Sequence, residues 1–473
     1  MDLQQRAITY LKNEMSETER QQFEEELIHS QELRSELEKG REVLDLLEAA
    51  NEESNVRRSN TIIQQAIQHG ASDIHILPAA GDPDHEGKRS TNILFRIDGH
   101  LHEITTLPAE FHRATVDRWK EMAECNIAER TLPQDGRIHI RYQGVNYELR
   151  VTILPTVSGE RITARLVDRQ NVFLGLDRLG LQPAQRDTLL RLIERPYGFI
   201  LTSGQIGTGK TTLLYSLLNA IQNPEKPRRN ILTVENPVEY RLPEISQASV
   251  NNRVGMTFPN ILRSLLRNDP DVIYASEFRS LEMLELATEA ALTSCLFLGQ
   301  LHVSSALLIP QRMQEMGLVP FLAGQTLAGA IGQRLVRRIC TECATEYTPS
   351  PEGLQKLGLS AIEDGPFRRG KGCEACHNTG FKGRIGLYEV WEVDEPARKL
   401  IAEGAPVQSL WNATFGRTGG SLWDDARLKV RQGITTVEEV TWALFDYPIP
   451  ALNAMASVRA PYEIGNLVGP DGK

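Results

Sequence analysis

The sequence predicts an α/β protein in which a largely parallel sheet, covered by helices on both faces, follows a smaller mixed α/β region. Three observations predict it. A buried-strand pattern at residues 198–202 runs into Gly204-Gln-Ile-Gly207-Thr208-Gly209-Lys210-Thr211, which fits G-x-x-x-x-G-K-[ST] in full and opens a helical run at 211–218. From Phe199 onward, strand-like and helix-like runs alternate, an order that suits parallel strands joined by crossover helices. Upstream, residues 73–77, 92–97, 138–142 and 146–153 read as strands of a separate region.

At 473 residues the chain can form two or three domains, each with its own core. Its 41% hydrophobic and 24% charged residues are ordinary for a soluble globular protein. A formal net charge of −10 argues against non-specific nucleic-acid binding, which basic surfaces support, so no nucleic-acid partner is expected. The first twenty residues hold no apolar core of a secretion signal. No uninterrupted apolar run is long enough to span a bilayer; residues 321–336 are broken by Gly324, Gln325, Gln333 and Arg334. The expectation is a cytoplasmic protein that meets a membrane only through partners.

Taken in order, residues 1–50 read as a helical N-terminal segment, with Ser16-x-x-Glu19 as a capping box and an irregular apolar face from Phe23 to Leu47. A solvated hairpin and a docking module for a partner both fit it. Residues 51–60 are polar and read as a linker, and 61–172 as the mixed α/β domain, with a charged surface loop at 81–90. Residues 173–338 form the nucleotide-binding core, 339–390 a small cysteine-bearing subdomain and 391–446 a helical subdomain. The last stretch, 447–473, contains Pro448, Pro450, Pro461 and Pro470 and no clear period, so it reads as an irregular tail.

The glycine loop carries the strongest chemical signal. Gly204, Gly207 and Gly209 let backbone N–H groups close around phosphate oxygens, with Thr208 between them and Thr212 just inside the helix. Lys210 would neutralise the β- and γ-phosphates, and the Thr211 hydroxyl would ligate Mg²⁺. ATP and Mg²⁺ are therefore the expected ligands. Such a site needs an acid near the metal and a group that orients the attacking water. Glu235 ends the apolar run 231–235, and Glu277 follows 271–276, both where strands emerge toward the loop. His302 ends a third run, 296–302; a structural and a chemical role are equally open for it.

Cys340-x-x-Cys343 and Cys373-x-x-Cys376 are two short pairs, separated by residues 344–372. Two such turns present four thiolates to one tetrahedral ion, so a structural Zn²⁺ is expected, with Gly370, Gly372 and Gly380 allowing tight turns. Cys125 and Cys295 read as buried small residues.

With these residues in view, the chain resembles the bacterial type II secretion and type IV pilus assembly ATPases over about residues 72–440. The resemblance rests on Ala71-Ser-Asp-Ile-His-Ile76, Arg96-Ile-Asp-Gly99, Leu132-Pro-Gln-Asp-Gly-Arg137 and Leu154-Pro-Thr156 upstream. Around and beyond the loop it rests on Thr233-Val-Glu-Asn-Pro-Val-Glu239 (an aspartate box), Arg267-Asn-Asp-Pro-Asp-Val-Ile273 leading to Glu277 (a Walker B segment), Leu301-His302 (a histidine box) and Gln333-Arg-Leu-Val-Arg337. It implies a RecA-like ATPase core behind a PAS-like regulatory domain, assembled as a homohexameric ring. It also implies arginines of the upstream domain near the nucleotide, for which Arg150 and Arg165 match. The zinc insertion is similar to that of extension-type members.

Departures are equally specific. Asn236 stands where the family shows Asp, Ser276 and Ser280 stand for Gly and Asp, Cys295 stands for a histidine, and Gly299-Gln300 stands for a Ser-Thr pair. The resemblance implies a longer docking domain ahead of this core, and the expectation from this sequence is that the Glu-rich residues 1–50 stand in that place. The resemblance implies a ring-forming motor, peripheral at the inner membrane, that couples ATP hydrolysis to pilin or pseudopilin assembly. Its partners would be an inner-membrane platform protein and an anchor protein with a cytoplasmic domain. The departures keep a second reading open, a nucleotide-binding regulatory or scaffold subunit with little turnover. A DNA-translocating ring is disfavoured by the charge.

Overall fold

The computed structural model describes residues 55–78, 90–168, 175–225, 227–360 and 364–447, together with Tyr10, Arg20, Phe23, Glu26 and Ser30. The expected N-terminal helices and the tail beyond residue 447 otherwise lie outside the described residues. The chain divides into two compact units at residue 169.

The first unit is a six-stranded antiparallel sheet. Its strands are β1 (Asp73–Leu77), β2 (Ser90–Ile97), β3 (His100–Pro108), β4 (Gln134–Tyr142), β5 (Val145–Thr156) and β6 (Gly159–Asp168), in the order β3-β2-β1-β6-β5-β4. Alternation decides its faces. Ile74, Ile76, Ile93, Phe95, Leu149, Val151, Ile162 and Ala164 point into one core, with Val116 and Trp119 of the helix His112–Met122. A second helix, 55–68, contributes Ile62, Ile63 and Ala66 to the same core. This corrects the linker reading: residues 55–60 are polar, but they are the first turns of a helix whose later apolar face the sheet fixes. β3 is not legible in the sequence, because exposed and half-buried residues alternate along it without one set being apolar.

The second unit is a seven-stranded sheet. Its strands are β7 (Gly198–Ser203), β8 (Ile231–Glu235), β9 (Ser246–Ser249), β10 (Val272–Ala275), β11 (Leu296–Leu301), β12 (Leu327–Ile339) and β15 (Phe381–Glu392), in the order β15-β12-β7-β11-β10-β8-β9. Pairing is parallel from β12 to β9, and only β15 runs antiparallel, along β12. β7, β8, β10 and β11 are buried at every residue, which explains their near-continuous apolar runs. Neighbours on one strand enter opposite cores: Phe199 and Leu201 join Phe297 and Ile273 on one side, while Ile200 joins Leu298, Tyr274 and Leu214 on the other. Residues 381–390, placed with the cysteine pairs from sequence, are instead the edge strand of this sheet. The cysteine subdomain reduces to the ribbon β13 (Ala344–Tyr347) and β14 (Phe367–Gly370), a short helix Pro351–Leu357 and the turns beside them. Among the described residues no helix is long and apolar enough to cross a membrane.

Candidate nucleotide-binding site and cysteine cluster

β7 delivers the chain into the glycine loop near the middle of the sheet, and the helix Lys210–Ile221 leaves it. Two glycines are sterically required. Gly204 has φ +146°, and a Cβ there would lie 2.6 Å from Thr208 Oγ1 and 2.7 Å from the Gln333 carbonyl. Gly209 has φ +86°, and its Cβ would meet Gln333 Nε2 at 2.9 Å. Gly207, at φ +83°, has open space around it. Thr208 Oγ1 donates to the Gln205 carbonyl at 2.9 Å, bracing the turn. Thr212 is half-buried in the first helical turn.

Lys210 is 5% exposed, and its ammonium donates to the carbonyls of Gly204 at 2.8 Å and Gln205 at 2.7 Å. Burial, then the nearby Arg334 guanidinium, push it down from 10.5 to about 8. Arg334 is itself 3% exposed and donates to the carbonyls of Gln333 and Ser304. Asp446 pairs with Arg334 at 3.4 Å and accepts from Gln205 Nε2 at 2.9 Å, so the end of the described chain touches the loop. Two cations, fixed N–H groups and a helix N-terminus converge where anionic phosphates would sit.

The strand ends supply the acids. Glu235, the last residue of β8, is 1% exposed; Oε1 accepts from Thr233 Oγ1 at 2.6 Å and Gln247 Nε2 at 3.0 Å, and Oε2 accepts from the Tyr215 hydroxyl. Burial raises its carboxyl, and these three donors oppose the rise. Glu277, beyond β10, pairs with Arg279 at 2.6 Å and stands 3.9 Å from His302 Nε2. Burial and the Lys210 charge lower His302, keeping the imidazole neutral near pH 7. The sheet thus brings His302, Glu277 and Lys210 into one electrostatic neighbourhood.

The family departures have local reasons. Ser280 caps the helix Leu281–Ala291 by accepting from Met283 N–H. Cys295 is 1% exposed, and burial pushes its thiol up to about 12, so it is inert. Gly299 faces Phe278, whose Cε2 would lie 2.5 Å from an added Cβ. Gln300 is buried and bonds Thr211 and Tyr274. Its signal in the sequence is one carboxamide within an apolar run, two residues before His302.

In the first unit, register makes a row across the sheet. Asp73 of β1 stands opposite Arg96 and Arg165, Arg165 stands opposite Arg150, and Arg150 stands opposite Arg137. Arg165 pairs with Asp73 at 2.9 Å, and Glu148 lies 3.8 Å from both Arg137 and Arg150. Like charges directly opposite repel, and Asp73 and Glu148 offset this row of four arginines. The place of Arg137 and Arg96 in this row follows from register and was not readable in the sequence.

The four cysteines come together as expected. Their sulfurs all lie within 4.8 Å of one another, with contacts of 3.9 Å (Cys340–Cys373, Cys343–Cys376) and 3.7 Å (Cys373–Cys376). A tetrahedron with metal–sulfur bonds of about 2.3 Å has edges of about 3.8 Å, so the donor set fits one ion. Burial pushes the Cys376 thiol up, but the N–H groups of Cys373 and Gly380, at 3.2 and 3.3 Å, bring it down to about 6. Gly370 and Gly380 pass too closely for a side chain, since a Cβ at 370 would lie 2.0 Å from the Gly380 carbonyl. Cys125, expected to be buried, is half-buried, because it sits in the turn after the helix His112–Met122.

A glycine loop between a central parallel strand and a helix, with acids at neighbouring strand ends, defines a P-loop nucleotide-binding protein. The model of the type II/IV secretion system protein family matches residues 48–442, and the chain belongs to that family. The type II secretion system ATPase E of Vibrio cholerae is 39% identical over 396 residues, covering 84% of this chain and 76% of that one. The type IV pilus assembly ATPase PilB of Thermus thermophilus is 39% identical over 381 residues, covering 80% of this chain and 42% of that longer one. Among solved structures, the Legionella pneumophila ATPase DotB superposes with a TM-score of 0.60 at 20% identity, covering 82% and 95% of the two chains. That likeness bears out the expected fold class, a P-loop core with an upstream mixed α/β region.

Proposed function

We propose that this chain is the ATP-hydrolysing motor of a type II secretion or type IV pilus-type assembly machine. One observation carries the reading: Lys210 and Thr211, which open the helix after the glycine loop, meet Glu277 and His302, which follow two neighbouring strand ends, in a chain of this family. Lys210 exchanges its two loop carbonyls for β- and γ-phosphate oxygens, and the glycine N–H groups hold the same anion. Thr211 would hold Mg²⁺, with Glu235 in support, and the bound ion would supply positive charge beside the phosphates. Glu277 orients and polarises the attacking water; Arg279 pairs with its carboxylate at 2.6 Å, and His302, neutral, stands 3.9 Å away. Arg150 and Arg165 of the first unit approach the nucleotide as the ring closes, coupling its state to movement of the units. The ring is a homohexamer acting through an inner-membrane platform protein and an anchor, which holds the chain at the membrane periphery. The cysteine cluster holds a structural Zn²⁺ with four protein ligands and no open position.

Steady-state phosphate release by the purified chain, with Lys210→Ala as comparison, tests this. Equal background rates in both would remove the enzymatic reading. The inert Cys295 and the altered pair Gly299-Gln300 favour the scaffold subunit as the second reading. Tight ATP binding without turnover in the assembled ring would select it.

A further inference from the structure

Gln300 occupies a position that the proposed chemistry leaves unused. It lies on β11, which is buried on both faces, and is itself only 7% exposed. A carboxamide so placed needs partners, and it has two. Nε2 donates to the Tyr274 hydroxyl at 2.9 Å and to Thr211 Oγ1 at 3.3 Å. Tyr274 is 0% exposed, and burial, then the Glu235 charge, raise its phenol, so it stays protonated. One carboxamide nitrogen thus links the Tyr274 hydroxyl and the Thr211 hydroxyl. Tyr274 is packed in the core with Leu213, Leu298 and Tyr215, so it anchors the carboxamide that reaches the Thr211 hydroxyl.

A hydroxyl oxygen has one proton and two lone pairs. With one lone pair engaged by the Gln300 N–H, the other lone pair and the proton are confined to the remaining directions. We infer that Gln300 is a positioning residue that aims the Thr211 hydroxyl at the nucleotide-bound magnesium ion. The inference rests on the reading of Thr211 as the magnesium ligand. Gln300 touches neither phosphate nor metal; it acts through Thr211, as outer groups orient ligands at other metal sites. The space for its long side chain arises beside Gly299, where Phe278 fills the opposite face of the same strand.

The test measures binding of a fluorescent ATP analogue to the full chain as Mg²⁺ is titrated, together with the melting temperature of the nucleotide-free protein. Gln300→Leu removes the donor at similar volume, and Gln300→Met is the second variant should the first not fold. The expected result is a rise of about tenfold in the Mg²⁺ concentration for half-effect, in the range seen for loss of such outer ligands. Affinity without Mg²⁺ and the melting temperature should stay near wild type. An unchanged Mg²⁺ requirement in a folded variant would overturn the inference. So would a parallel loss of affinity with and without Mg²⁺, which marks a structural role only. A wild-type chain whose nucleotide affinity ignores Mg²⁺ would instead refute the reading of Thr211 and take the inference with it.

Discussion

Raising the pH from 7 to 9 should weaken nucleotide binding about tenfold, and Lys210 is the reason. In the free protein, burial and the Arg334 charge bring its ammonium from 10.5 down to about 8. Phosphate binding requires the charged form, and bound phosphate restores the proton. Below pH 8 the charge is already in place, and affinity is flat. Above it, a proton must be taken up with each nucleotide, so affinity falls about tenfold per pH unit, or ~1.4 kcal/mol. At pH 7 about nine-tenths of the free protein carries the charge and at pH 9 about one-tenth, which gives the tenfold ratio. An unshifted lysine would remain charged across this range. Equilibrium titration of a fluorescent ATP analogue at constant ionic strength measures the slope. Lys210→Arg, whose guanidinium does not titrate here, should bind less well but without the slope. A flat wild-type profile would refute the reasoning, as would an equal slope in Lys210→Arg.

Three further outcomes are expected. Cys376→Ser should lower bound zinc from about one equivalent to near none by metal analysis, with a lower melting temperature; full zinc retention would disprove the cluster's role. Gly299→Ser should cost about 1–3 kcal/mol because its Cβ runs into Phe278, and combining it with Phe278→Ala should cost less than the two changes summed in denaturant unfolding. Arg165→Ala should cut turnover at least tenfold if the arginine reaches the nucleotide, while its pair with the buried Asp73, open to solvent on the arginine side and shared with Arg96, contributes about 1 kcal/mol to stability. A turnover loss matched by a large drop in melting temperature would point to folding instead.

Much of the nucleotide site was legible because its chemistry is local. Six consecutive buried residues of β7 and the glycine pattern after them state the strand, the loop and the helix start together. Glu235, Glu277 and His302 could be found because parallel strands end on one side of the sheet. What was hidden depends on contacts distant in sequence. Asp446 reaches Gln205 and Arg334 only after the C-terminal helices pack. The antiparallel edge strand β15 is set by ten paired positions on β12 and not by its own pattern, which is polar at the start. The arginine row crosses five strands in register, and no spacing along the chain reveals it. The helix over 55–60 was mistaken for linker because its early turns are polar, while the residues that anchor it follow at Ile62 and Ile63.

The central claim is that Glu277, at the end of β10 beside His302, activates water for attack on bound ATP. Single-turnover hydrolysis by Glu277→Gln, with nucleotide affinity measured on the same sample, tests it most directly. The account predicts affinity within a few-fold of wild type and a rate lower by roughly 10²–10⁴. A rate close to wild type, with binding intact, would contradict it.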